Sequence, residues 1–138
     1  MPKDNLDENL LTVWVVAGVV IKKDDKYLLV QEASKGIRGL WNLPAGKAEK
    51  GSTLIETAAR EAKEETGFDV EIIKQLGVYH EDGDRSVRHA YEAKIIGGQL
   101  CPPADEILDA KWYTYDEVIA LKDKLRSNWI LKAIDQIK

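Results

Sequence analysis

Between Ser52 and Thr66 the alternating pattern of the surrounding chain gives way to a 3.6-residue period, and this segment constrains the fold more than any other. Thr53-Leu54-Ile55-Glu56 has the spacing of a capping box, with Ser52 as a competing N-cap. Gly67 stands where a left-handed C-terminal cap belongs. At about 100° per residue, Leu54, Ile55, Ala58 and Ala62 form one apolar stripe, which has to lie on a sheet. Thr53, Glu56, Arg60 and Lys63 point the other way, as solvated side chains do. Glu61, Glu64 and Glu65 belong to neither group. At i, i+3 and i+4 they gather on a patch along the edge of the stripe, with Glu65 inside the arc of Leu54, Ala58 and Ala62.

Three like charges within one turn repel, and part burial raises the cost. Arg60 and Lys63 are the local cations, and both project mainly to another side. A hard divalent cation is the simplest neutraliser. Mg²⁺ takes carboxylate oxygens and keeps waters that phosphate oxygens can replace. The alternative is an ordinary solvated Glu-rich face, against which the inward position of Glu65 argues.

The flanking chain is strand-like. Leu11–Ile21 is apolar on both alternating faces, which predicts a strand covered on both sides. Lys22 to Lys26 is a polar turn and Tyr27–Glu32 a second strand, so the two form a hairpin. Ser34–Lys50, with Gly36, Gly39, Pro44 and Gly46, reads as loop with a short strand around Leu40–Leu43. Val70–Tyr79 is again strand-like, and His80–Arg85 is a loop. In Val87–Ile95, Val87, His89, Tyr91, Ala93 and Ile95 share one face and Arg88, Glu92 and Lys94 the other, which predicts a half-exposed strand. Beyond Pro102-Pro103, Ala110–Tyr113 is a short strand. Thr114-x-x-Glu117 opens a second capped helix with Val118, Leu121 and Leu125 on one side, and a last helix aligns Ile130, Leu131, Ile134 and Ile137. Strands surround one central helix, and the terminal helix can cover the other face. That is an α+β domain, an α/β/α sandwich with a mixed β-sheet between helices.

A length of 138 residues suits one domain spanning 1–138, with residues 1–9 as a flexible N-terminus. Twenty Lys and Arg against 24 Asp and Glu give a net charge of −4, which argues against a general electrostatic grip on nucleic acid. A small phosphate-bearing substrate is compatible with that charge, because one divalent cation can mediate between two anions. The lone Cys101 excludes an internal disulfide and a multi-cysteine zinc site. Lys3 among Asp4, Asp7 and Glu8 is no signal peptide, and Val13–Ile21 is too short to span a bilayer, so a cytoplasmic protein without membrane partners is expected. The apolar excess over Leu10–Val20 offers a seat for a second copy, a homodimer.

Gly46, followed by Arg60-Glu61-Ala62-Lys63-Glu64-Glu65-Thr66-Gly67-Phe68 at the right distance, resembles the signature of the Nudix hydrolase family. Trp41-Asn42-Leu43-Pro44-Ala45-Gly46 is similar to the family's entry into that motif, and the resemblance covers roughly residues 11–122. One position departs: the first motif glutamate is Ser52 here. In the family that carboxylate commonly supports the motif arginine, so the departure implies that Arg60 is less firmly held.

The resemblance implies a Nudix fold and hydrolysis of a nucleoside diphosphate linked to another group, with Mg²⁺ as cofactor and Mn²⁺ as substitute. It implies Glu61 and Glu65 as metal ligands, with Glu64 sharing the metal or accepting the proton of the attacking water. Arg60 would orient the glutamates, and Gly46 and Gly67 would be structural, Gly46 by letting its loop turn tightly. Some members take their base from a later loop, and Glu106 is the candidate of that kind. Trp41, Tyr79 and Tyr91 are candidates for stacking on a base. His89, on the apolar face of its strand, reads as a hydrogen-bonded core histidine, and His80 as a surface residue. A non-catalytic nucleotide sensor is the alternative function, against which the complete glutamate trio argues.

Overall fold

The computed structural model describes residues 7–138. The reading of 1–9 as a flexible leader therefore lies outside the described residues for 1–6. Asp7 to Leu10 forms an exposed turn closed by Leu10 N–H on Asp7 O at 3.0 Å.

The elements run β1 (Trp14–Lys23), β2 (Lys26–Glu32), β3 (Trp41–Asn42), β4 (Ala45–Lys47), α1 (Leu54–Thr66), β5 (Phe68–Tyr79), β6 (Ser86–Gly98), β7 (Ile107–Thr114), α2 (Tyr115–Leu121) and α3 (Trp129–Ile134). One sheet carries the order β3-β2-β1-β6-β5, with β4 added on β1 and β7 on β2. β1 and β6 are parallel and the other pairs antiparallel, so the sheet is mixed. β1 pairs with β2 only at its tip, Lys22 and Lys23, and lower down Val16 to Gly18 pair with β4. The sheet therefore splays between β4 and β2, and the site opens in that gap.

Alternation along β1 divides the core. Ala17, Val19 and Ile21 meet Ala58 and Ala62 of α1 on one face, while Val20 meets Trp129, Ile130, Ala133 and Ile134 of α3 on the other. At Gly18 a Cβ would lie 2.5 Å from that of Ala45 and 2.9 Å from the Trp129 ring, so β1, β4 and α3 close here to a distance only glycine permits.

Several expectations are corrected by this packing. β1 is covered on both sides only from Ala17 to Ile21. Leu10, Leu11, Trp14 and Val15 are exposed, with Lys47 Nζ 4.2 Å above the Trp14 ring. β6 is less exposed than expected, because it lies between β1 and β5: on its charged face Lys94 is exposed, but Glu92 is half-buried. Its supposedly solvated Arg88 is buried, held by Asp84. Burial alone would push the Asp84 carboxyl up, but the Ser86 N–H and the Arg88 guanidinium bring it below the usual range. His89 is not hydrogen-bonded as expected: its Nδ1 is buried and meets no partner among the described residues. Leu125 lies beyond α2, after a single 3₁₀ turn, and α3 stops at Ile134, leaving Ile137 outside it. The segment read as loop holds a second short strand, β4, after β3.

Candidate active site

Helix α1 forms where its local signals place it. Thr53, not Ser52, is the N-cap, in a capping box with Glu56, and Gly67 closes the helix at φ 88°. The buried face is rotated from the expected one. Thr57, Ala58, Ala62 and Thr66 are buried, Leu54 is half-buried, and Ile55 is exposed. Thr57 and Thr66 tolerate burial because each hydroxyl donates to the carbonyl one turn back, on Thr53 at 2.9 Å and Ala62 at 2.6 Å.

This rotation turns Glu61 and Glu65 toward β4. The Glu65 carboxylate accepts the Ala45 N–H at 3.0 Å. Glu61 fills the space above Gly46, where any Cβ would overlap its carboxyl group. Gly46 is thus a strand residue without a left-handed φ, and its function is to leave room rather than to turn a loop. Gly67 combines both reasons, since a side chain there would also strike the Gln99 carbonyl.

Glu64 is more exposed. Its carboxylate lies close enough to Glu61 to raise that group and 3.6 Å from Arg60 Nε, so Arg60 does not project away from the patch as the helical wheel suggested. Arg60 also reaches Ser52 Oγ, at a long 3.4 Å. Lys63 is engaged elsewhere, with Asp69 at 3.2 Å and the Gly67 carbonyl at 3.1 Å. Since Thr53 carries the cap, Ser52→Glu leaves the helix start intact and supplies Arg60 with a carboxylate. We expect turnover to rise about two- to tenfold, roughly 0.4–1.4 kcal/mol in barrier. Steady-state kinetics beside a melting curve checks this, and unchanged turnover would show that the Glu64 contact already holds Arg60.

The loop from Gln99 to Glu106 is anchored on the helix end by Cys101 N–H to the Thr66 carbonyl at 2.7 Å. It brings Glu106 close enough to add to the charge felt by Glu61 and Glu65. Glu32, at the end of β2, faces the same centre and was not recognised in the sequence. Its position closing an apolar strand is ordinary, and no local pattern sets it apart. Trp41 and Tyr91, two of the stacking candidates, present little ring surface to a ligand. Both are buried in the core, Tyr91 on the α1 side and Trp41 on the α3 side against Tyr113, at 5.1 Å between ring centroids. Tyr79 is half-buried on the α3 side, so the three rings do not converge. His80 is exposed.

Crowding has an electrostatic consequence. Burial, then the charge and hydrogen bond of Glu64, push Glu61 up to about 7, with Arg60 opposing and Glu106 adding. Burial likewise raises Glu65 well above the carboxylate range, against the Ala45 N–H and with Glu32, Glu61 and Glu106 adding. Among the described residues no three acidic, imidazole or thiol groups converge on one metal position in these rotamers. The donor set still fits a hard divalent cation: hard carboxylate oxygens, short of positive charge, on flexible side chains.

Because Glu61 binds its proton more tightly folded than unfolded, its contribution to metal-free stability should decline as pH rises from the ordinary carboxylate range to about 7, and Glu65, also raised, should add a decline of its own. Glu61→Gln should make that decline shallower, leaving the part that belongs to Glu65. At pH 8 it should melt higher, by roughly 3 °C for about 1 kcal/mol, a figure kept small because solvent screens this half-buried group. At pH 4 the two proteins should melt alike. Melting curves in chelator at both pH values test the sign.

The family model described as NUDIX domain matches residues 12–134. The 8-oxo-dGDP phosphatase NUDT18 of Homo sapiens is 39% identical over 125 residues, covering 88% of this chain and 38% of that protein. Its Mus musculus counterpart is 36% identical over 125 residues, with the same coverage. A NUDIX hydrolase structure from Nitrosomonas europaea superposes with a TM-score of 0.80 at 29% identity, over 91% of this chain and 88% of that one. A carboxylate-bearing helix capped by Gly67, packed on a splayed mixed sheet and matched along nearly its whole length, defines the class: the chain belongs to the Nudix family. It spans about a third of the length of these NUDT18 proteins and of a Caenorhabditis elegans relative named putative nudix hydrolase 1, 34% to 38%. No helix among the described residues is long and apolar enough to cross a membrane.

Proposed function

We propose that this chain hydrolyses a phosphoanhydride bond in a nucleoside diphosphate linked to another group, by attack of water on phosphorus. The observation that carries the reading is the inward pair Glu61 and Glu65, seated over Gly46 and Ala45 with too little positive charge around them. Glu61 and Glu65 would hold the divalent cation, Mg²⁺ or Mn²⁺ in its place, with Glu64 beside them. When bound, such an ion neutralises the polyphosphate, polarises the phosphoryl group and lowers the pKa of a coordinated water. Glu64, beside Glu61 and paired with Arg60, would accept the proton of the attacking water, and Glu106 is the second candidate for that role. Arg60 holds Glu64 in place.

The similarity to proteins named 8-oxo-dGDP phosphatase makes an oxidised purine nucleoside diphosphate the first substrate to try. A homodimer seated on the exposed Leu10, Leu11, Trp14 and Val15 belongs to the same proposal, with sedimentation as its readout. Purified protein should be assayed with Mg²⁺ against 8-oxo-dGDP, nucleotide sugars and dinucleoside polyphosphates, following phosphate release and nucleotide products. Cleavage that stops in excess chelator is the expected result. Undiminished turnover in confirmed metal-free buffer would overturn the mechanism, and saturable binding without cleavage would make the chain a sensor.

A further inference from the structure

We infer that Glu32 is a further acidic group of this centre, held in place from the strand side to strengthen its grip on a divalent cation. The inference rests on the metal-dependent reading above and deepens it.

Glu32 ends β2 on the face that carries Leu28 and Val30, the face α1 covers. The register between β2 and β7 shifts at this point, from Gln31 opposite Asp109 to Glu32 opposite Ile107. The extra residue, Leu108, is on β7, so alternation along β2 is unbroken and Glu32 still faces α1. Its backbone is pinned on both sides: Glu32 N–H donates to Leu40 O at 2.8 Å, and Gly39 N–H donates to Glu32 O at 2.8 Å. The next residue binds the loop of the other candidate base, through Ala33 N–H on Glu106 O at 3.1 Å.

The side chain is oriented by a hydrogen-bond chain from the core. Asn42 Oδ1 accepts the Leu43 N–H at 2.9 Å and the indole N–H of the buried Trp129 at 2.9 Å. Both acceptor positions of that oxygen are used, so the amide nitrogen is the end turned toward the Glu32 carboxylate, where it opposes the rise that burial imposes. Three residues later the same segment supplies the Ala45 N–H that holds Glu65. Asn42 to Ala45 therefore braces one carboxylate from β2 and one from α1 beside each other. Arg126 is the cation that bears on Glu32, and no ion pair joins the two. A desolvated carboxylate next to a second one is costly unless a strong positive charge compensates both. A divalent ion at Glu65 would do so, with Glu32 acting on it through charge and bound water, as outer-shell groups tune metal sites.

Mn²⁺ binding without substrate, read from the electron paramagnetic resonance signal of free Mn²⁺, tests this. Glu32→Gln keeps the shape and should weaken binding about tenfold, whereas Glu32→Asp, which keeps the charge, should stay within about twofold of wild type. Glu32→Ser is a second uncharged variant, so a folding failure in one leaves the comparison standing, and metal-free melting confirms the fold of each. Wild-type affinity in the uncharged variants, with Glu61→Gln and Glu65→Gln weakened, overturns this inference alone. Equal loss in Glu32→Asp and Glu32→Gln also overturns it, since shape and not charge would then matter. Wild-type affinity in all of them removes the metal reading of the helix as well.

Discussion

Glu65→Gln should lower turnover by at least about a hundredfold while the protein stays folded, and Glu61→Gln should do the same. Both substitutions keep the side-chain shape, and the Ala45 N–H retains an acceptor at position 65. What disappears is the charge of a proposed metal ligand, in a place where burial already disfavours charge. The same changes should leave metal-free stability equal or higher, because repulsion within one helical turn is relieved. Activity and stability thus move in opposite directions. Steady-state kinetics at saturating Mg²⁺, with melting curves in chelator, reads both. Variants that lose metal-free stability and keep near-normal turnover would show the carboxylates to be structural.

Gly46→Ala should lower turnover by about ten- to a hundredfold with little change in melting temperature. The atoms that a methyl group at 46 meets first all belong to the flexible side chain of Glu61, which can give way before the helix or β4 moves. Glu61 must swing away, and its carboxylate is then misplaced, where a displacement of about 1 Å can cost a hundredfold. Because Gly46 acts through Glu61, the loss should nearly vanish in a Glu61→Ala background. A double-mutant cycle on turnover decides the point. Full additivity would mean that Gly46 has a separate function, in the backbone of β4 itself.

Much of this architecture was legible because its causes are local. Capping boxes act over three residues, so Thr53 with Glu56 and Thr114 with Glu117 could be read directly, as could the left-handed stop at Gly67. The spacing of Glu61, Glu64 and Glu65 places them on one helix patch whatever surrounds the helix. The motif from Gly46 to Phe68 adds the family, and through it the mixed sheet between helices.

What the tertiary structure decided are the properties set by non-local neighbours. Hydrophobicity alone assigned Ile55 to the core and left Thr57 out of it, yet Ile55 is exposed and Thr57 is buried, its hydroxyl satisfied within the helix. Arg88 looked solvated, but the parallel pairing of β6 with β1 places it inside, where Asp84 neutralises it. Of the aromatic rings offered as base platforms, Trp41 and Tyr91 are buried in the core on opposite faces of the sheet, and Tyr79 is half-buried. Glu32 lies 29 residues before Glu61 and carries no local mark. Its place at the acidic centre follows from where β2 ends, how β7 shifts register beside it, and which way a buried tryptophan turns Asn42. Sequence periodicity reports which face a residue is on, and only the packed chain reports what covers that face. The cost of a buried charge depends on that covering, so the carboxylates' number could be read in the sequence and their chemistry only in the fold.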